Sequence, residues 1–158
     1  MKPFSDGVKI GLEWMGIAAR TAPKAGGKDF VEIRILDETE TQDLGRAMIE
    51  FGERTQKKNF DRDGENVLRS MGVLLLSLNK PQTAGLNCGA CGKSKCSQLS
   101  LEHDGEFAGP LCAWRLLDLG IALGSAAKTA SLLNLDNRMM YRIGVSAREM
   151  GLIEGELV

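Results

Sequence analysis

Residues 86–112 read LNCGACGKSKCSQLSLEHDGEFAGPLC, and all four cysteines of the 158-residue chain lie among them. Cys88, Cys91 and Cys96 stand as C-x2-C-x4-C, and Cys112 follows after fifteen more residues. What flanks this loop sets the fold. Upstream, residues 72–79 (GVLLLSLN) form a short apolar run with breakers on either side, which predicts a strand buried on both faces. Downstream, Gly109-Pro110 precedes Cys112 and a helix-period pattern extends to about residue 133. The loop therefore joins a buried strand to the longest helix, with Cys112 expected at that helix's N-terminus, where the macrodipole favours a thiolate.

A C-x2-C turn brings two sulfurs within reach of one metal site, and a third cysteine five residues on can close the same pocket. Gly89 and Gly92 supply the backbone freedom that a tight curl needs. A loop curled this way turns N–H groups towards negatively charged sulfur, and such bonds help set an iron–sulfur potential. Three other readings compete. Structural zinc also takes four cysteines, but more often as two separated pairs. Disulfides suit an oxidising compartment, and no secretory signal opens the sequence. A thioredoxin-type C-x-x-C needs no third or fourth thiol. An iron–sulfur cluster explains the grouping best. The plant-type [2Fe–2S] order is the reverse of this one, and four thiolates suit a [4Fe–4S] cubane, one per iron. Zinc stays open.

Further from the loop, residues 8–20 carry Val8, Leu12, Met15 and Ala19 on one helical face and Ile10, Trp14 and Ile17 on the next, so this helix is expected to be well buried. Pro23 and the glycines at 26 and 27 make a loop. Residues 30–36 (FVEIRIL) alternate as a strand. Thr39 and Gln42 have capping-box spacing before a helix striped by Leu44, Ala47, Met48 and Phe51. Residues 53–65 read as solvated connection. In the long helix, Leu116, Leu119, Ala122, Leu123, Ala126, Ala127 and Ala130 are expected inward. Its small residues (Gly120, Gly124, Ser125) suit close helix packing, or a flat ligand or second subunit. Asn137 is expected to cap a last helix ending at Gly151, and residues 153–158 begin a strand.

The order of elements is α/β (α+β): a single domain over residues 1–158, a small sheet with helices packed around a long central helix, and a cluster-binding segment at 85–113. Net charge is −1 and aromatics make up only 5% of residues, which gives no electrostatic argument for nucleic acid. No apolar run reaches the ~20 residues of a membrane span. A cytoplasmic protein is expected. Glu102, Asp104 and Glu106 surround the sole histidine, His103, and favour a solvated loop over a ligand role. Lys93 and Lys95 either offset the negative charge of a ligated cluster, steer an acidic redox partner, or are ordinary surface lysines.

The motif N-C-G-A-C-G-x-x-x-C with a fourth cysteine about fifteen residues later resembles the [4Fe–4S] domain of corrinoid iron–sulfur proteins and of the B subunit of Rnf-type electron-transport complexes. Through Gly109-Pro110-x-Cys112 and residues 117–126 (LDLGIALGSA), the chain is similar over most of its length to an uncharacterised family described as containing a ferredoxin domain. That resemblance implies four cluster ligands at Cys88, Cys91, Cys96 and Cys112. Residues 20–27 (RTAPKAGG) and 118–122 (DLGIA) also resemble two places in the nitroreductase-like flavin fold, with Lys24 and Gly27 replacing its serine and asparagine. That second resemblance implies an FMN site near Arg20, Lys24 and Gly26, at a homodimer interface. The expected function is one-electron transfer to a redox partner protein; the alternatives are an FMN-dependent reductase fed by the cluster and a non-redox protein with structural zinc.

Overall fold

The structure is a computed structural model and describes residues 4–158. It is a mixed α+β chain in the order α1 (Ser5–Thr21), β1 (Val31–Ile35), α2 (Glu38–Thr55), α3 (Phe60–Arg69), β2 (Leu74–Leu78), α4 (Ala113–Leu132) and α5 (Tyr141–Glu149). Antiparallel β1 and β2 pair with Val31 opposite Leu78 and Ile35 opposite Leu74. The C-terminal segment, expected as a strand, forms a single bridge from Leu157 to Leu78 on the other edge of β2. Glu156 N–H donates to Leu78 O, and Leu78 N–H to Leu157 O, at 2.8 Å each. At Leu78, β2 is thus paired on both edges.

Alternation along β2 divides the core. Leu76 and Leu78 pack with Ala19 and Ala22 at the end of α1 and with Leu119, Ala122 and Ala126 of α4. Leu75 points the other way, into Leu44, Met48 and Phe51 of α2, Phe60 and Val67 of α3, and Val145 and Ala147 of α5. The sheet is therefore the middle layer, which explains why β2 reads as apolar on both faces while β1 alternates.

Several local expectations are met with shifted boundaries. α2 begins at a capping box two residues earlier than expected, in which Asp37 Oδ1 accepts the Glu40 amide at 2.8 Å and Glu40 returns the bond to Asp37 N–H. α5 begins at Tyr141, not after Asn137, whose side-chain amide instead donates to Leu135 O. α5 ends as expected at Gly151, in the left-handed region at φ 67°. There Leu152 N–H reaches Ala147 O and Gly151 N–H reaches Arg148 O, a Schellman ending.

Three expectations fail. Residues 53–65 are not a solvated connection, because α2 runs to Thr55 and α3 occupies Phe60–Arg69. Phe60 stacks on Phe51 with ring centroids 4.6 Å apart, and α2 and α3 meet where a Cβ on Gly64 would lie 2.7 Å from Gly45 O. Glycine lets the two backbones touch, so a helix with few apolar residues is still anchored. α1 buries only one of its two apolar faces: Ile10, Trp14 and Ile17 are each more than half exposed. α4 likewise has an outer side, with Leu116, Leu117 and Ile121 exposed, so its Leu116 is not inward. Gly120 and Gly124 lie on that side with open space around them, whereas Ala122, Ala126 and Ala130 are the close-packed small residues.

Candidate metal centre

The chain leaves β2 at Leu78, makes the cysteine loop, and re-enters regular structure at α4, so the loop sits where a core strand ends and a core helix begins. Cys112 is the residue that caps α4, as expected, and is 7% exposed. Cys96 opens a short 3-10 turn, Cys96–Gln98. Cys88, Cys91, Cys96 and Cys112 all line one mouth, together with Leu86, Lys93, Leu99 and Trp114. The four thiols predicted to act together are thus brought together. Among the described residues, no three His, Cys, Asp or Glu side chains converge tightly enough to hold one ion.

The curl of the loop follows from its backbone. Gly89 and Gly92 have φ of 76° and 83°, and Gly92 N–H closes a turn on Gly89 O at 2.9 Å. A side chain at either position would strain that conformation. Asn87, also left-handed at φ 49°, clips the start of the loop to its third cysteine. Its Oδ1 accepts Cys96 N–H at 2.8 Å, and its own N–H donates to Cys96 Sγ at 3.4 Å. At Cys88 the Ala90 amide, then the Trp114 indole N–H, hold the thiol below its ordinary range, outweighing the opposing effect of burial. N–H groups facing sulfur are what a thiolate-held cluster requires.

Behind the mouth is a buried ion pair that sequence reasoning did not find. Arg115 and Asp118 are 2% and 3% exposed and meet at 2.8 Å. Arg115 Nε donates to Gln82 O in the segment leading to the cysteines, at 2.9 Å, and Nη1 donates to Ala25 O at 3.0 Å. Asp118 Oδ1 accepts Ala25 N–H at 2.7 Å. Arg115 N–H also bonds Cys112 O at 2.9 Å, so this side chain springs from the very turn that Cys112 caps. The pair ties α4, the residue 25 turn and the approach to the cysteine loop into one unit. Its only sequence signal is an Arg and an Asp three apart on the inward side of an otherwise apolar helix.

The residues expected to hold flavin come out differently employed. Lys24 Nζ donates to Ala19 O and Arg20 O at 2.7 Å each, capping the C-terminus of α1. Arg20 donates to Asp29 Oδ2 and Val31 O, again at 2.7 Å. Burial pushes the Asp29 carboxyl up, but the Val31 amide and the Arg20 and Lys24 cations together hold it below the ordinary range. Gly26 is exposed, with φ 64°. A separate cleft of about 1030 Å³ is lined by α1, α4 and residues 134–144, but by none of Arg20, Lys24 or Gly26. His103 is exposed and lies outside the cysteine mouth. No helix among the described residues is long and apolar enough to cross a membrane.

Residues 108–158, which hold Cys112, α4 and α5, match the family described as uncharacterised protein containing a ferredoxin domain, DUF2148. An uncharacterised protein of Archaeoglobus fulgidus is 44% identical over 156 residues, covering 98% of this chain and 84% of its own. No solved structure matches the chain. At that identity and coverage, the chain belongs to one family with this uncharacterised Archaeoglobus fulgidus protein, and its C-terminal third is similar to the ferredoxin-domain family.

Proposed function

We propose that Cys88, Cys91, Cys96 and Cys112 hold one [4Fe–4S] cluster and that the protein transfers single electrons through it. The observation that carries this is the convergence of four thiols, from a glycine loop, a 3-10 turn and a helix N-cap, on one mouth. The donor set fits the group. Four soft thiolates suit iron–sulfur ligation, one sulfur per iron. When bound, such a cluster supplies a one-electron couple. The chain's own residues do the rest. Buried Cys112 fixes one corner against the core, and the Asn87 clip sets the loop's register. Gly89 and Gly92 let amides turn inward, and the Trp114 indole N–H favours the Cys88 thiolate. The match of residues 108–158 to a family described as containing a ferredoxin domain supports the same reading.

The test is a redox titration of protein purified and reconstituted without oxygen. Reversible bleaching of its visible absorption by dithionite, with loss of that absorption in each of the Cys88, Cys91, Cys96 and Cys112→Ala variants, is the expected result. A colourless protein that holds zinc through the same four thiols would overturn it.

A further inference from the structure

We propose that the Cys88 edge of the site is its electron port, and that the surface around it docks an acidic protein carrying a one-electron centre. The inference rests on the cluster reading above and adds which way electrons leave and what kind of partner receives them.

Three observations converge on this edge. The ligand thiols are graded in exposure: Cys112 is buried, Cys91 and Cys96 are intermediate, and Cys88 is exposed. Electron tunnelling falls steeply with distance, so the exposed ligand is the short path. Apolar surface flanks it, with Leu86 62% and Trp114 38% exposed at the same mouth. An aromatic and an aliphatic side chain in the open are the usual centre of a protein contact, and small transient redox interfaces need little more. The rim is basic. Lys93 lines the mouth and Lys95 adjoins Cys96, and both side chains are exposed. Among the described residues, neither has a carboxylate within ion-pair distance, unlike Lys24 and Lys57, which pair with Asp29 and Glu106. None of Glu102, Asp104 or Glu106 lines the mouth. In a chain of net charge −1 this is a local excess of positive charge. It attracts an acidic surface and repels a basic one, acting chiefly on the association rate.

Stopped flow on dithionite-reduced, desalted protein tests this with two acceptors, an acidic blue-copper protein and a basic c-type cytochrome. In each case one electron leaves the chain's cluster and reduces Cu(II) to Cu(I) or Fe(III) to Fe(II). At low ionic strength the acidic acceptor should react faster and be slowed by salt. Lys93→Glu/Lys95→Glu should lower its rate by about tenfold and raise that of the cytochrome, with iron and sulfide content unchanged. Leu86→Ser should slow both acceptors. Rates that keep the same ratio in the charge-reversed variant, with the cluster intact, would overturn the port while leaving the cluster standing. Protein that takes up no iron or sulfide would overturn both.

Discussion

Trp114 does more at the cysteine mouth than cover it. Its indole N–H faces the Cys88 sulfur, where it favours the more negative state. Trp114→Phe keeps most of the apolar cover and removes the donor, so the midpoint potential should fall while iron content holds; an unchanged potential would remove Trp114 from the tuning set. The Arg115–Asp118 pair makes a different demand. Asp118→Ala strands a buried guanidinium and should cost about 3–5 kcal/mol in urea unfolding. Arg54→Ala, which breaks an ion pair more than half exposed on both sides, should cost under about 1 kcal/mol. Asp29 adds a pH dependence. Its pKa is lowered on folding, so its contribution is present above the unfolded value of about 3.9 and is lost as pH falls through the folded one. Urea midpoints of the parent and Asp29→Asn should therefore differ at neutral pH and converge in acid. What was legible at this scale was the cysteine set, because four thiols within 25 residues announce themselves by spacing. Asn87, Trp114 and Arg115 were not, since each acts on a group that only the folded chain brings near.

Helix α3 shows why an element can go unread. Its buried residues are Phe60, Asp63, Gly64 and Val67, a helical period in which only two positions are apolar. The contact depends on glycine facing glycine and on one phenyl ring, which a search for apolar stripes passes over. Phe60→Ala should cost about 3–5 kcal/mol, the loss expected for a buried aromatic, measured by denaturant unfolding. A cost below about 1 kcal/mol would return residues 53–65 to the solvated connection first read there. The error on α1 was of the opposite kind. Ile10, Trp14 and Ile17 have helical spacing, but α4 and the sheet cover only the neighbouring face. The strands were easier, because five residues of β2 between breakers leave little choice. The capping box was displaced by two residues because Asp37 and Glu40 satisfy the same pattern as Thr39 and Gln42, and the sequence alone does not rank them.

Across the whole molecule, β2 is the organising element. It carries leucines into both halves of the core, pairs on both edges, and delivers the chain to the cysteine loop. Its amides should be among the slowest to exchange with deuterium, and those of residues 86–99 should gain protection when the cluster is assembled. The layered α+β arrangement was readable because the strand patterns and the long helix stood clear of one another. How the helices share the two sides of the sheet was not, because that is decided by contacts between segments far apart in the chain. The central claim is chemical and is tested most directly by the iron, acid-labile sulfide and zinc content of protein purified without oxygen. A [4Fe–4S] site requires about four irons and four sulfides per chain with no zinc; one zinc per chain and no sulfide would contradict it.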